Sequence, residues 1–576
     1  MNNLLLVNTR TKKIEAESCT DKQRLTGGRS FIAHYLLNNS DPACEPLGRK
    51  SKFIVASGLL GDTALTTSGR SSIGGKSPLT GGIKESNVGG AAGRKLANLG
   101  FRAIILEDMP QEPSTGVLYV KNGKAEIISF PGLKCREVSD TFDVLFDRFG
   151  KNVGIYCIGP AGEMGLASAC VATSDHTGQQ LRVAGRGGMG AVMGSKGIKA
   201  IVIDDSDKKK PDTYDRKALS SAAKEVAKII RDDPKTENRH DFGTPAVLSM
   251  CNSLGILPTR NFSSGSFEDA DKISGEKVAE LILKRGGDAR RGLPCVRGCS
   301  IQCSNIFADK NGKKLVASLQ YENIALLGSN CGISDIDAIA VLNDRCNQVG
   351  VDTIETGASI GVAMEAGLLE FGDSDGARDL IDQIGRSTYL GRIIGSGVSV
   401  TGKVLNVKRI PAVKGQAMPA YDPRSLKGIG VTYSSSAMGA DHTAGNALEM
   451  AKFMDPAARD GQVEVSLRLQ IRGVILDSLG VCLFIRPAFV KDPGLVARLI
   501  NAKYGTDYDY PDIQKMAIDC LKAERKFNDL AGLPADRCDI PEFMREEPLP
   551  PKNNVFDIPR DEIEDIFKAK VPAEIF

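Results

Sequence analysis

The chain has 576 residues, of which 41% are hydrophobic and 25% are charged, and its formal net charge is +3. This length exceeds what one hydrophobic core usually supports, so we expect about two to four domains. The near balance of charge excludes a strong attraction to nucleic acid or an acidic membrane, and no apolar run approaches the roughly 18 residues of a membrane helix.

The amino-terminal third of the chain has a β-rich pattern. Residues 1–7 have the pattern of a strand and show no secretory signal. Short apolar runs such as 53–56 and 200–203 are separated by glycine, proline and polar turns. A charged stretch at 204–212, which contains a proline, is the best candidate linker. We therefore predict a β-rich domain over residues 1–206.

Two glycine-dense segments, 68–90 and 182–190, lie in this β-rich region. The first lacks the spacing of a P-loop, and around the second we expect neither the strand before nor the helix after that a dinucleotide fingerprint requires. Glycines nevertheless let backbone N–H groups approach an anion, and Arg70, Arg182 and Arg186 add bidentate donors. The loops therefore suit phosphates or anionic thiolates of a cofactor, or they are tight turns of a β domain.

Helical periodicity replaces this pattern downstream. Ser334 is a candidate cap for a helix whose apolar face leads to a glycine stop at Gly350. A proline- and glycine-rich segment at 411–423 marks a further boundary. We predict two mainly helical domains, at residues 207–410 and 411–576, and an α+β multidomain fold as a whole.

Four cysteines form the strongest chemical signal. Cys295, Cys299 and Cys303 stand in one run with three residues between neighbours, and Cys482 lies far downstream. Three thiolates in one loop and a remote fourth predict a [4Fe–4S] cluster, which transfers single electrons. Two other interpretations remain open: a radical S-adenosylmethionine enzyme, which would not need Cys482, and a structural zinc site. The remaining cysteines are scattered, which favours a reducing cytoplasm over a disulfide framework.

A short repeat and two isolated polar residues are further candidates. Segments 347–352 and 477–482 share the pattern [N/D]-x-x-G-V-[D/C], and both follow a helical run, as helix C-caps commonly do. The second copy ends on Cys482. Glu322, beside an apolar run, and His442, in a small-residue segment, are candidates for an acid or a base. Each is otherwise a structural residue satisfied by hydrogen bonds.

Together these features resemble one family, the aldehyde ferredoxin oxidoreductases, which are tungsten- or molybdenum-bispyranopterin enzymes. The matching segments follow the family order over nearly the whole chain: 76–81, 158–163, 182–196, 243–245 with 257–262, 327–333, 414–416 with 419–424, and 477–482. The resemblance implies a β-rich domain that acts as a saddle for the cofactor, followed by two mainly helical domains. Many members of the family form homodimers.

The resemblance also implies roles for individual residues. The four cysteines match the cluster ligands, and Glu322 and His442 match the acid/base pair near the metal. The matched pterin contacts are Arg70, Asn87, Gly89, Arg182, Val183, Gly185, Asn347, Val351, Asp352, Asp477 and Leu483.

The activity implied by the resemblance is oxidation of an aldehyde to a carboxylate at a tungsto- or molybdo-bispyranopterin. Electrons would pass through one [4Fe–4S] cluster to ferredoxin or a ferredoxin-like subunit, and Mg²⁺ could bridge the pterin phosphates. An alternative is a pterin-dependent reductase subunit that acts on an aromatic acyl-thioester or another substrate. No nucleic acid and no membrane span are expected.

The chain departs from the family pattern in two places. The family's cysteine run usually has gaps of two and then three residues, whereas both gaps here have three. Near His442 the family's arginine and lysine positions hold Met438 and Ala444. The first departure predicts a reshaped cluster loop, either in a subgroup of the family or in a chain that has lost the cluster. The second predicts the loss of two positive contacts to the pterin phosphates and leaves the substrate open.

Overall fold

The computed structural model describes residues 3–175, 177–178, 181–208, 212–534, 539–568, 571–572 and 574–576. Its strands are β1 Asn3–Asn8, β2 Ile14–Ser18, β3 Phe53–Ser57, β4 Ser71–Lys76, β5 Ile83–Val88, β6 Phe101–Glu107, β7 Gly116–Lys121, β8 Lys124–Ser129, β9 Gly154–Cys157, β10 Val171–Ser174, β11 Leu181–Ala184, β12 Ile198–Asp204, β13 Arg290–Leu293, β14 Ser304–Ala308, β15 Lys314–Val316, β16 Ala412–Val413 and β17 Gln416–Ala417.

The α-helices are α1 Asp21–Arg24, α2 Gly28–Asn39, α3 Ala92–Asn98, α4 Val138–Phe149, α5 Pro160–Glu163, α6 Met189–Ser195, α7 Arg216–Asp232, α8 Pro234–Phe242, α9 Leu248–Leu254, α10 Gly275–Arg285, α11 Tyr321–Leu327, α12 Ile336–Val349, α13 Thr353–Glu365, α14 Ser374–Gly385, α15 Tyr389–Gly395, α16 Val398–Val404, α17 Lys427–Ser435, α18 Gln462–Leu479, α19 Arg486–Lys491, α20 Gly494–Tyr504, α21 Tyr510–Leu530, α22 Glu542–Glu546 and α23 Arg560–Glu564.

The strands before residue 205 form two sheets of the same topology. The first has the order β2-β1-β6-β3-β4-β5, and the second has the order β8-β7-β12-β9-β10-β11. In each sheet the first and last strands of the set, β1 with β6 and β7 with β12, pair in parallel, and the other pairs are antiparallel. The β-rich domain is therefore built from two copies of one unit, which no sequence pattern indicated. We call them the first unit (β1–β6) and the second unit (β7–β12).

A shared apolar core holds the two units together. Phe53 and Ile73 from the first unit and Tyr156 and Ile201 from the second lie in one buried cluster, with side chains of α3 and α6 between them. All four side chains are fully buried. Because burying one large apolar side chain stabilises a fold by roughly 1.5–3 kcal/mol, the two units form one domain.

From α7 onward the described chain is mainly helical, and the short strands β13 to β17 lie between the helices. A second buried apolar cluster begins at Leu4, includes side chains of α2, and extends through the helices to Phe576. The α+β class is confirmed, with the β-rich region first and the helices after it. The predicted domain boundaries stay predictions, and residues 209–211 of the candidate linker lie outside the described residues. Within the described part of the chain, no single helix could cross a membrane, and two sharply bent helix pairs meet the length and apolarity criteria only in combination.

The predicted end of α12 is confirmed, but its predicted start is shifted. Gly350 ends the helix in a left-handed conformation, with φ +81°. At the other end Asp335 is the cap instead of Ser334, and its carboxylate accepts the Asp337 N–H at 2.9 Å. Asp335 directly precedes the first helical residue, so it is the nearer of two adjacent residues that can cap.

The expectation for the second glycine-dense segment was wrong. A strand, β11, directly precedes Gly185, where the glycine motif begins, and a helix, α6, begins at Met189. The dinucleotide interpretation fails for another reason: β11 pairs with β10, whereas β12 pairs with β7 and β9. The parallel βαβ unit of a dinucleotide site is therefore not formed.

Candidate functional site

The two copies of the sequence repeat dock on the two sheet units in the same way. The helices α12 and α18 end at Gly350 and Gly480, with φ +81° and +72°. A Cβ on Gly350 would lie 2.6 Å from the nitrogen of Gly159, which lies just after β9. A Cβ on Gly480 would lie 2.8 Å from the Cα of Gly58, which directly follows β3. Each contact joins bare backbones, so each requires glycine.

In the second unit, the turn after β11 meets the repeat after α12. Arg182 and Val183 lie in β11, and Gly185 follows it. A Cβ on Gly185 would lie 2.7 Å from the Asp352 carboxylate, which also caps α13. The structure therefore brings four of the predicted cofactor contacts together. Two more precede Asp352 in the same repeat and are buried: Asn347 and Val351.

In the first unit, β4 and β5 meet the cysteine run. Arg70 precedes β4, and its guanidinium donates to Oδ1 of Asn87 in β5. A Cβ on Gly89 would lie 3.1 Å from Cys295 Sγ. Burial would lower the pKa of Arg70, but the neighbouring cysteine thiols and Asp477 outweigh it and raise that pKa. The predicted contacts of this unit therefore lie beside the predicted cluster.

The four predicted cluster cysteines lie within electrostatic range of one another. Burial raises the pKa of Cys299 to about 12, and the Cys295 and Cys482 thiols add to the rise. Burial and the same neighbours raise the pKa of Cys303 well above its usual value. Within the described ranges, no group of three or more His, Cys, Asp or Glu residues is gathered around a single ion position. Leu483, the last predicted cofactor contact, follows Cys482 and is 39% exposed.

The two predicted acid/base residues face each other. Glu322 lies in the first turn of α11, and its Oε1 is 3.6 Å from Nε2 of His442. Its Oε2 accepts the Ala420 N–H at 2.8 Å, and the Tyr421 ring packs 5.9 Å from the imidazole. Burial raises the pKa of Glu322, and His442 and the Ala420 N–H oppose the rise. A carboxyl balanced in this way suits proton transfer near neutral pH.

A buried ion pair that sequence reasoning missed holds the His442 loop. Asp441 accepts from Lys84 Nζ and also from the Thr443 N–H at 2.9 Å. Burial would raise the pKa of Asp441, but Lys84 and other cations bring it well below its usual range. Lys84 Nζ also lies 3.8 Å from Met438 Sδ. A cation from β5 thus stands beside the position where the family has an arginine, whereas Ala444 is simply buried.

Arg186 lies at the centre of the site, although it was not among the pterin contacts matched through the resemblance. Its Nη2 donates to the Ala417 and Ala440 carbonyl oxygens at 2.5 and 2.8 Å. Its Nε is 3.6 Å from the Asp352 carboxylate, and its charge helps to lower the pKa of Glu322. The only sequence signal was its place in a glycine-dense, arginine-containing segment.

Unpartnered polar atoms at this junction fit a large polar cofactor. Among the residues the structure describes, the buried atoms without a hydrogen-bond partner include Arg186 Nε and Nη1, Asn87 Nδ2, Glu322 Oε1 and His442 Nδ1. Buried polar groups normally find partners. Arginine and amide donors suit phosphates and thiolates, and carboxylates suit ring amino groups. The donor set therefore fits a pterin bound between the β-rich domain and the helices.

Comparison with known proteins covers both parts of the chain. The family described as "Aldehyde ferredoxin oxidoreductase, N-terminal domain" matches residues 4–205. The family described as "Aldehyde ferredoxin oxidoreductase, domains 2 & 3" matches residues 221–568. The tungsten-containing aldehyde ferredoxin oxidoreductase of Thermococcus kodakarensis is 31% identical over 572 residues, which cover 95% of this chain and 91% of that protein.

Two further similarities are more distant. The WOR-like subunit of the aliphatic sulfonate oxidoreductase of Pyrococcus furiosus is 26% identical over 484 residues, 76% of this chain and 74% of that subunit. The solved active-site complex BamBC of benzoyl coenzyme A reductase matches with a TM-score of 0.81 at 18% identity, over 98% of this chain and 93% of that chain. At this identity the structural match concerns the fold alone.

Proposed function

The chain belongs to the aldehyde ferredoxin oxidoreductase family and is an oxidoreductase of that type, and from this premise we propose its reaction. It oxidises an aldehyde and water to a carboxylic acid, releasing two protons and two electrons. The reaction takes place at a tungsto- or molybdo-bispyranopterin in the cytoplasm. The four cysteines would hold a [4Fe–4S] cluster, which would supply single-electron transfer to ferredoxin or a ferredoxin-like subunit.

The pairing of Glu322 with His442 carries this proposal. When bound, the bispyranopterin metal would supply a Lewis acid and an acceptor for the electron pair. Glu322 removes a proton from the attacking water, because its Oε1 is buried without a hydrogen-bond partner in the described residues. His442, 3.6 Å away, donates a hydrogen bond to the carbonyl oxygen and stabilises the charge that develops there.

The other residues of the site would bind the cofactor and orient the catalytic residues. Arg70 and Arg182, with the backbone at Gly89 and Gly185, would bind the anionic parts of the two pterins, one on each sheet unit. Asp352 and Asp477 would accept hydrogen bonds from the ring amino groups, one at each repeat. Lys84 fixes the loop that carries His442 through Asp441. Mg²⁺ between the pterin phosphates and a homodimeric assembly remain part of the proposal.

The proposal is tested with the variant Glu322→Gln. We expect turnover of an aldehyde to fall by about 10²- to 10⁴-fold, the usual contribution of a general base, with tungsten or molybdenum and iron content unchanged. Glu370→Gln, which changes an exposed residue of the same helical region, is the matched control and keeps full activity. Full activity in Glu322→Gln removes this residue from the mechanism. Iron absent and zinc present in the parent protein would favour the structural zinc interpretation instead.

A second candidate is a catalytic subunit of a larger complex that acts on an acyl-thioester or another substrate. The similarity to a WOR-like subunit supports it. Anaerobic purification of the tagged chain from its own cells discriminates the two candidates. Stoichiometric electron-transfer subunits and no aldehyde turnover favour the second candidate, and aldehyde turnover by the chain alone favours the first.

A further inference from the structure

Arg239 lies between the two chain segments that carry Cys303 and Cys482. It stands in the last turn of α8, and its carbonyl oxygen accepts the Gly243 N–H at 2.9 Å. A Cβ on Gly243 would lie 2.9 Å from the Cys303 carbonyl oxygen. On the other side, the Arg239 guanidinium carbon lies 4.3 Å from the centre of the Phe484 ring. Phe484 is two residues beyond Cys482.

Among the residues that the structure describes, Arg239 has no carboxylate partner for its charge. Its Nη1 is buried without a hydrogen bond, and no Asp or Glu of the described chain lies within ion-pair distance of it. The neighbouring Arg486, by contrast, pairs with Glu449 at 2.7 Å. Burial and Arg486 lower the pKa of Arg239, and Asp233 and the two nearby cysteines oppose them. A buried, unpaired cation is unfavourable, so an anionic group bound to these cysteines would compensate the charge of Arg239.

We propose that Arg239 is a positioning residue for the cluster: its charge and its free N–H group act on the cluster edge formed by Cys303 and Cys482 and raise the reduction potential. This inference rests on the proposed function, since it requires a cluster on these cysteines. A nearby cation and hydrogen bonds to sulfur both favour the reduced cluster, which carries one more negative charge. Arg70 approaches the same cysteines from the β-rich domain, so each part of the chain contributes one arginine.

The test is the cluster's midpoint potential, followed by electron paramagnetic resonance during a redox titration of the holoenzyme. In Arg239→Gln we expect full iron content and a potential lower than that of the parent. In Arg239→Lys, which keeps the charge without the guanidinium fork, we expect a smaller shift in the same direction. Arg498→Gln is the control, because Arg498 is exposed and pairs with Glu225 and Asp492 at 3.1 and 2.9 Å. Its potential should equal that of the parent.

The outcomes separate this inference from the proposed function. A parent protein without an iron–sulfur signal contradicts both. A parent with the signal, and an Arg239→Gln variant with an unshifted potential, contradicts only the role of Arg239. If Arg239→Gln loses its iron, Arg239→Lys decides: retained iron at a slightly lowered potential supports the electrostatic role, and lost iron or an unshifted potential overturns it.

Discussion

The ends of α12 and α18 dock on the two sheet units with the same geometry, but the residues that follow the docking glycines differ in chemistry. In the second unit the repeat continues from Gly350 to Asp352, whose carboxylate caps α13 and faces Gly185. In the first unit it continues from Gly480 to Cys482, which is extended and precedes a short 3-10 turn instead of an α-helix.

This difference shows which part of the repeat is structural and which is chemical. The glycine fixes the backbone, because in both units it touches the backbone of another glycine. The sixth residue of the repeat can differ between the two copies, since it lies beyond the docking contact. Under the proposed function, the first copy of the repeat would contact the cofactor alone, and the second copy would contact both the cofactor and the cluster.

The largest effect is expected from substituting the sixth residue of the repeat, which is Asp352 in the first copy and Cys482 in the second. In Cys482→Ser we expect the iron content and the brown colour to fall, because one of the four irons loses its thiolate ligand. In Asp352→Asn we expect iron to stay and tungsten or molybdenum to fall several-fold, while asparagine still caps α13. Elemental analysis of both proteins provides the measurement. An unchanged iron content in Cys482→Ser would contradict the assignment of a cluster ligand to the second copy of the repeat.

A smaller effect is expected from breaking the docking itself. Gly350→Ala and Gly480→Ala combine left-handed strain, roughly 1–2 kcal/mol, with a backbone clash. Gly100→Ala is the matched control, because Gly100 has φ +83° and nothing within 4 Å of the added Cβ. We expect both docking variants to lose activity at lower temperatures than the control, and only Gly480→Ala to lose iron as well. Equal thermal loss in all three would mean that strain alone matters.

The smallest effect is expected from Arg186, whose Nε lies 3.6 Å from the Asp352 carboxylate. The active form of Glu322 is ionised, so activity is present above its pKa and is lost as the pH falls through it. Burial and Asp352 raise that pKa, whereas His442, the Ala420 N–H and Arg186 lower it.

Arg186→Gln should therefore move the acid limb of the kcat profile to higher pH, and Arg186→Lys should move it less. Metal content serves as the control for correct assembly in both proteins. An acid limb that stays in place in Arg186→Gln would separate this arginine from Glu322.

Local patterns predicted the fold class, the stop at Gly350 and the repeat, because each depends on a few neighbouring residues. The duplication of the sheets was not predictable, since it lies in strand pairing and not in similar residues. The Lys84–Asp441 pair was missed, and Arg186 was predicted only as an anion donor, because the contacts that define their roles join distant segments. Glu322 and His442 were candidates from their sequence surroundings, and the family resemblance matched them to an acid/base pair. Their 3.6 Å separation is a property of the folded chain that the sequence does not contain.

The bare contact between Gly58 and Gly480 has a consequence for electron tunnelling. Tunnelling rates fall steeply with the gap between donor and acceptor, so a fluctuating gap gives a fluctuating rate. Here no side chain lies between the strand end of the first unit and the turn that leads to Cys482, and close-packed backbone has little room to fluctuate. In the proposed function, the distance between a pterin bound at the first unit and the sulfur of Cys482 would therefore stay nearly constant during turnover.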